Sequence, residues 1–297
     1  MAAGAYVNLD KSVREDLMSI LTNLSPTDTQ LCTGLGTSVA KNRKHEWLLD
    51  TLSDVKINAY VEGADASYPT ITDPSRMTNY TQIHQQSFLV SDTEDAVDKA
   101  AFNSRYQYEA TKAMKMIKND LEYAVMRGVQ PSTMGTESYA GVMQGVKTFL
   151  CITCSISGTS LSELNLNDYL QNVWNVGTEV NAIYAPMTLK RRISGFTANA
   201  TKYFDQNDKR LINSIDVYSS DAASMVKLFA HRHVTVSGDT NNDIVGINED
   251  LFKIAYLRKP VIREMAKTGD ATKGNIVLEA TLECLHPHAG FLRAGCL

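Results

Sequence analysis

The feature that most constrains this chain is the stretch from Glu94 to Arg127, which contains no glycine and no proline. Ser91-Asp92-Thr93-Glu94 fits a capping box at its start, the early acids Glu94, Asp95 and Asp98 complement a positive helix end, and Gly128 supplies a stop. Ala110, Met114, Ile117, Leu121 and Ala124 recur at spacings of four and three and so share one stripe, with Lys112, Lys115 and Lys118 off it. The pattern predicts one amphipathic helix over 94–127, a rod of roughly 50 Å at about 1.5 Å per residue. A rod of that length with a single apolar face suits an extended building block, which it braces from one side.

The segment upstream has the opposite character. Val55, Ile57, Ala59 and Val61 alternate with Lys56, Asn58, Tyr60 and Glu62, the period of a half-buried strand. Residues 63–76, with Pro69 and Pro74, read as a tip, and Tyr80 to Val90 returns with Ile83, Phe88 and Val90 as apolar marks. The prediction is a long hairpin over 45–91 with no core of its own. Residues 1–43 hold only a short helical pattern (Val13, Leu17, Ile20, Leu21, Leu24) and an extended linker at Thr33–Thr37. Beyond Pro131 the chain becomes mixed. A helix is expected over Leu164–Val180, a strand over Asn181–Ala185 and a second helix opened by Pro186-Met187-Thr188; strands are expected over Val226–Val236 and Leu251–Leu257, with a last long one over Ile276–Cys284. The class is α+β.

Charge and composition exclude several functions. Of 297 residues 43% are apolar, enough to build a core, and no window approaches a membrane span. Met1 to Asp10 lacks the basic and apolar regions of an export leader, so a soluble protein starting in the cytosol is expected. The net charge of −4 and the lack of basic runs argue against tight DNA binding and leave only weak, non-specific contact. Five cysteines, an odd number without an export signal, point to reduced thiols.

Candidate chemical motifs are weak. Cys151, Cys154, Cys284, His286 and His288 could close a zinc site if two distant segments met, but Cys-x-His-x-His is not a standard ligand spacing, and Cys151 sits in an apolar run that suits a buried thiol. His45-Glu46 lacks a second histidine four residues on, where Leu49 stands. Gly238 to Asp243 has oxygen ligands at three calcium-loop positions, yet Ile244 replaces the required glycine. Gly34-Leu35-Gly36 has neither the lysine nor the hydroxyl of a phosphate loop. His231-Arg232-His233 reads as a solvated strand face. No nucleophile or acid/base context stands out, so no enzyme, cofactor or metal is expected.

The order of these parts resembles a tailed-phage major capsid protein of the Hong Kong 97-type fold. The words that carry the resemblance are Ser25-Pro26-Thr27-Asp28-Thr29, His45-Glu46-Trp47 with Asp50-Thr51-Leu52, Glu62-Gly63, Arg76 with Asn79-Tyr80-Thr81-Gln82-Ile83, Asp120-Leu121-Glu122, Lys267-Thr268-Gly269-Asp270 and Glu279-Ala280-Thr281-Leu282-Glu283. They are similar to the phage major head protein family formerly known only as a domain of unknown function. Two positions depart from it: Gln30 stands where proline is expected and Ala101 where glycine is.

The resemblance implies an N-terminal arm over 1–43, an extended loop over 44–91, a peripheral domain over 92–149 and 263–297 with a spine helix at 94–127, and an axial domain over 150–262. It implies a subunit that assembles with itself into hexamers and pentamers of an icosahedral shell around double-stranded DNA, in the virion and, during assembly, the host cytoplasm. Portal, scaffolding and decoration proteins are the other implied partners, with no membrane. Tyr68, Pro69, Pro74 and Arg76 are expected to touch the adjacent subunit, and Lys112, Lys115 and Lys118 to meet an intersubunit carboxylate. The alternatives are another phage structural protein, a tail tube or decoration subunit, or a zinc or thiol enzyme on the cysteine and histidine cluster.

Overall fold

Strands distant in sequence are brought together in a four-stranded and a six-stranded sheet. The structure, a computed structural model, describes residues 28–296 except 54, 67, 69, 72, 98–103, 129–130, 151, 154–160, 197–215, 221–222, 236–241 and 268. The helical pattern around Val13–Leu24 therefore lies outside the described residues, as do Pro69, Cys151 and Cys154.

Helix α1 (Gln30–Gly34) leads into strand β1 (Gly36–Val39), so Thr33–Thr37 ends a helix and starts a strand and is not a linker. Gln30 occupies the first helical position, where the proline expected there would also be tolerated. Strands β2 (Lys44–Leu49) and β3 (Ser75–Tyr80) form a two-stranded ladder, with His45 opposite Asn79 and Leu49 opposite Ser75. The chain between them, including Val55–Val61, has no strand among its described residues. A period-2 pattern yields a strand only where an edge is there to pair with it, and among the described residues none pairs with it.

Strand β4 (Gln82–Ser91) leaves that hairpin and pairs instead with the later strand β11 (Ala271–Cys284). The expected return strand over Tyr80–Val90 is thus β4 in all but its first residues, and it pairs with β11 and not with the outgoing strand. Helix α2 covers only Asp92–Ala96 and α3 covers Arg105–Arg127, 23 residues or about 35 Å, in place of one rod over 94–127. Val97 is extended, and Ser104, also extended, accepts a bond from the Gln107 amide at 3.5 Å. Ser104-Arg105-Tyr106-Gln107 has the serine-x-x-glutamine form of a capping box in its own right, which starts the helix afresh. At the far end Gly128 is required because the chain returns against it: a Cβ there would lie 2.0 Å from the Gly145 amide nitrogen.

After α4 (Val146–Phe149) and the short β5 (Ile152–Thr153) come α5 (Glu163–Asn175), β6 (Ala182–Ala185), α6 (Met187–Ser194), β7 (Val217–Ser220), β8 (Ala223–Ala230), β9 (Asn242–Ile247) and β10 (Phe252–Met265). Strand β11 is not the last, because β12 (Gly290–Cys296) follows it. One sheet has the order β1-β10-β11-β4, the other β5-β12-β9-β6-β8-β7. Consequently β10 belongs to the four-stranded sheet and β12 to the six-stranded one. The β10–β11 pairing is irregular between Tyr256 and Arg258 and again between Arg258 and Val261, a stretch that contains Pro260, which has no N–H to give the ladder.

Helix α3 lays Ala113, Ile117, Leu121, Ala124 and Val125 into a core shared with Ile276, Leu278, Ala280 and Leu282 of β11. Strand β6 is buried on both faces: Ala182 and Tyr184 enter that core, Ile183 and Ala185 enter a second one with Leu166, Leu170, Leu189 and Ile193 of α5 and α6. That is why it reads as a continuous apolar run and not as an alternation.

Candidate assembly site

The exposed loop between β2 and β3 and the surface that anchors it form the most distinctive site. From Asp50 to Pro74 every residue whose side chain is described is exposed. Leu52, Ile57 and Tyr68 are 98%, 96% and 92% exposed, and Val55, Val61 and Ile71 are similarly bare. The segment also carries Asp50, Asp54, Glu62, Asp65 and Asp73 against a single lysine, Lys56, so it is acidic as well as apolar. Gly63, at φ +79°, turns the chain in the left-handed region that glycine adopts freely.

The root of this loop is rigid. Asn79 is fully buried and uses its whole amide: Nδ2 donates to the carbonyls of Leu282 (2.8 Å) and Gln144 (3.2 Å), and Oδ1 accepts from the amides of Gln144 (3.0 Å) and Tyr80 (2.9 Å). One side chain thus joins β3, β11 and the segment that follows α3. Trp47 Nε1 donates to the Cys284 carbonyl at 2.7 Å while its ring lies 6.0 Å from that of Phe149. Buried Glu279 accepts from Thr81 Oγ1 (2.8 Å) and from Nε and a terminal nitrogen of Arg258 (2.8 Å each), and Glu283 takes the Ser38 hydroxyl at 2.8 Å with His45 at 3.5 Å. Three of the sequence words that carry the resemblance therefore converge at the root of the loop.

The predicted contact residues are dispersed. Tyr68 and Pro74 stand exposed in the loop, and Pro69 is outside the described residues. Arg76 is not at the tip: it pairs with Leu48 in the β2–β3 ladder and its guanidinium lies 3.6 Å from Glu46 of the same hairpin. Lys112, Lys115 and Lys118 line the exposed side of α3, with Lys112 3.7 Å from Glu109. Of the zinc candidates, Cys284 is buried and donates to the His286 carbonyl at 3.0 Å, and the rings of His286 and His288 meet edge-on at 5.8 Å. Among the described residues no three histidine, cysteine, aspartate or glutamate side chains are grouped to hold a metal. Asp243 of the calcium-like stretch lies in β9 and is paired with Lys147.

His231 is not on a solvated strand face. It lies past the end of β8, buried, with Nε2 2.8 Å from Glu122 of α3. Glu122, fully buried, also accepts from the amides of Leu31 (2.8 Å) and Cys32 (2.7 Å). Burial raises this carboxyl, but the bonds from His231, Cys32 and Leu31 outweigh it and hold the group below its ordinary value. Asn79 and Glu122 were both present in quoted words yet carried no assigned role. The available signal was a single carboxylate inside the otherwise apolar arc of α3, since a fully buried glutamate needs partners.

Known proteins place this architecture. A family model described as SU10 major capsid protein matches residues 3–295. The major capsid protein of Escherichia phage Phieco32 is 21% identical over 319 residues, covering 90% of this chain and 89% of that protein. Among solved structures, the capsid of a native GTA particle matches with TM-score 0.69 at 12% identity over 100% of both chains. The capsid of Myoviridae phage XM1 matches with TM-score 0.62 at 13% identity over 99% of each. The fold is the Hong Kong 97 type, as the sequence words implied.

Proposed function

The chain belongs to the SU10 major capsid protein family, and on that premise we propose that its copies interlock as hexamers and pentamers into the icosahedral head enclosing a tailed phage's double-stranded DNA. The observation that carries the interlocking is the pairing of a bare loop with a rigid root. A single subunit leaves Leu52, Val55, Ile57, Tyr60, Val61, Tyr68 and Ile71 in water, while the strands beneath them are fixed by Asn79, Trp47 and Glu279. Side chains of this size stabilise by roughly 1.5–3 kcal/mol each when buried, so a neighbouring copy is the natural place for them. Stability then becomes inseparable from assembly.

Sign complementarity supports a partner surface. The acidic loop would face the lysine row Lys112, Lys115 and Lys118 of a neighbour's α3, where close opposite charges select register more than they add affinity. Portal, scaffolding and decoration proteins are further partners on this reading, and the negative net charge suits a wall that encloses DNA without gripping it.

The test follows from the register of β2 and β3. Because Leu49 and Ser75 are directly opposed, residues 50–74 can be replaced by Asn-Gly, a two-residue turn suited to such a ladder. The shortened subunit should keep its far-UV circular dichroism and give no shells by negative-stain electron microscopy. Shells of normal size from that variant would refute the proposal.

A further inference from the structure

Helix α1 has no cap of its own: its N-cap residue, Thr29, makes no side-chain capping bond. The cap comes from elsewhere in the chain. Glu122 Oε1 and Oε2 receive the Leu31 and Cys32 amides, consecutive donors in the first turn of α1, and so do the work normally done by a local serine or aspartate. The same Oε1 meets His231 Nε2. His231 Nδ1 accepts from the His233 amide at 3.2 Å, which assigns the ring proton to Nε2 and makes the imidazole another neutral donor. The Cys32 thiol, pushed well up by burial and by Glu122, adds a fourth. One carboxylate therefore joins α1, the middle of α3 and the turn that ends β8.

Every group around it is a donor. An ionised carboxylate accepts all of them, whereas a protonated one brings an O–H with no acceptor to receive it and must break a bond already made. The other titratable groups lie around this pair. Tyr184 of β6 stands edge-on to His231 at 5.7 Å with its hydroxyl on Glu249, and Glu249 in turn crowds Gly34 at the other end of α1. Tyr256 of β10 packs against the same core as Cys32. His233 and Tyr123 meet edge-on at 5.7 Å, Arg127 sits over Tyr123, and Arg232 points outward toward Asp28.

We infer that Glu122 is an acid-released latch: ionised, it clamps α1, and with it the root of the N-terminal arm, to the spine helix and the six-stranded sheet; protonated, it lets α1 go. The clamp turns acidity into a change in where the arm is held, without opening either sheet.

Hydrogen exchange by mass spectrometry on the full chain, corrected for the intrinsic pH dependence of exchange, tests this directly. Protection of the 30–35 peptide should fall at least tenfold between neutral pH and a pH below the ordinary glutamate range, while the 276–282 peptide of β11 stays protected. Glu122→Gln should lower protection of 30–35 at neutral pH and abolish the acid step. His231→Asn, too short to reach, keeps the carboxylate but removes one donor, so its step should move to higher pH; this variant reads the latch even if Glu122→Gln fails to fold. An unmoved step in His231→Asn, or loss of 30–35 only together with β11, would overturn the inference.

Discussion

Replacing Asn79 with alanine asks how much of the loop's anchoring rests on one amide. The side chain makes four hydrogen bonds, at 2.8, 3.2, 3.0 and 2.9 Å, and is fully buried. At about 1 kcal/mol net each the four amount to roughly 4 kcal/mol. Tyr80 is only partly buried and its amide can turn to water, which lowers the expectation to about 3 kcal/mol. With a urea slope of about 1–3 kcal/mol/M, the midpoint of soluble subunits should fall by at least about 1 M. Asn79→Asp is the sharper variant. It keeps the shape but turns a carboxylate oxygen toward the Leu282 and Gln144 carbonyls, so it should cost more than alanine at neutral pH and recover as acid restores a donor. A loss under 1 kcal/mol for alanine, or an aspartate variant milder than alanine at pH 7, would show that the root is held by packing and not by this amide.

Other outcomes follow from the same contacts. Gly128→Ala drives a Cβ into the Gly145 backbone, which cannot swing aside as a side chain would; the thermal midpoint of the variant should drop by several degrees, or the protein should not accumulate. Glu279→Gln removes the charge that two Arg258 nitrogens share and should lower unfolding free energy by about 1–3 kcal/mol in urea titration. Changing Lys112, Lys115 and Lys118 together to glutamate should leave the subunit's melting curve within a few degrees of the parent yet suppress shell yield on sizing columns, because the three side chains are exposed. The depressed Glu122 carboxyl contributes stability that is complete above its ordinary value of 4.5 and is lost as pH falls through the lower folded value; the urea midpoint should decline there in the parent and not in Glu122→Gln. Burial depresses His84 likewise, so its share is complete above 6.5 and declines as pH falls below it, and His84→Gln should flatten that part of the curve.

Periodicity made α3, α5, α6 and most of β11 legible, since each has a buried face whose spacing matches its geometry, while β6 was legible as a short continuous apolar run. The break between α2 and α3 was missed because the absence of glycine and proline says that a helix is permitted, not that it continues; Ser104 and Gln107 held the stop-and-restart signal. Strand partners were less legible still. Nothing in the local sequence of Gln82–Ser91 tells it to leave β3 for β11, a choice settled by contacts nearly two hundred residues away. The same holds for Gly290–Cys296, whose Phe291 fills the space that Gly246 leaves open. At the site, the exposed loop was readable as a segment without a core, but its root was not. Asn79, Trp47 and Glu279 act through buried hydrogen bonds to distant backbone and side chains, and a buried polar residue looks like any other until its partners are known.

The bare loop has a consequence for the subunit's life before it joins a shell. An exposed stretch of alternating apolar residues is also what recruits wrong partners, and five carboxylates spread along 50–74 repel identical stretches on other copies. Those charges act as gatekeepers during the interval after synthesis, when concentration is rising and neighbours are not yet in place. Salt weakens that protection by screening it, so the ionic strength of the surroundings sets how long a newly made subunit can wait.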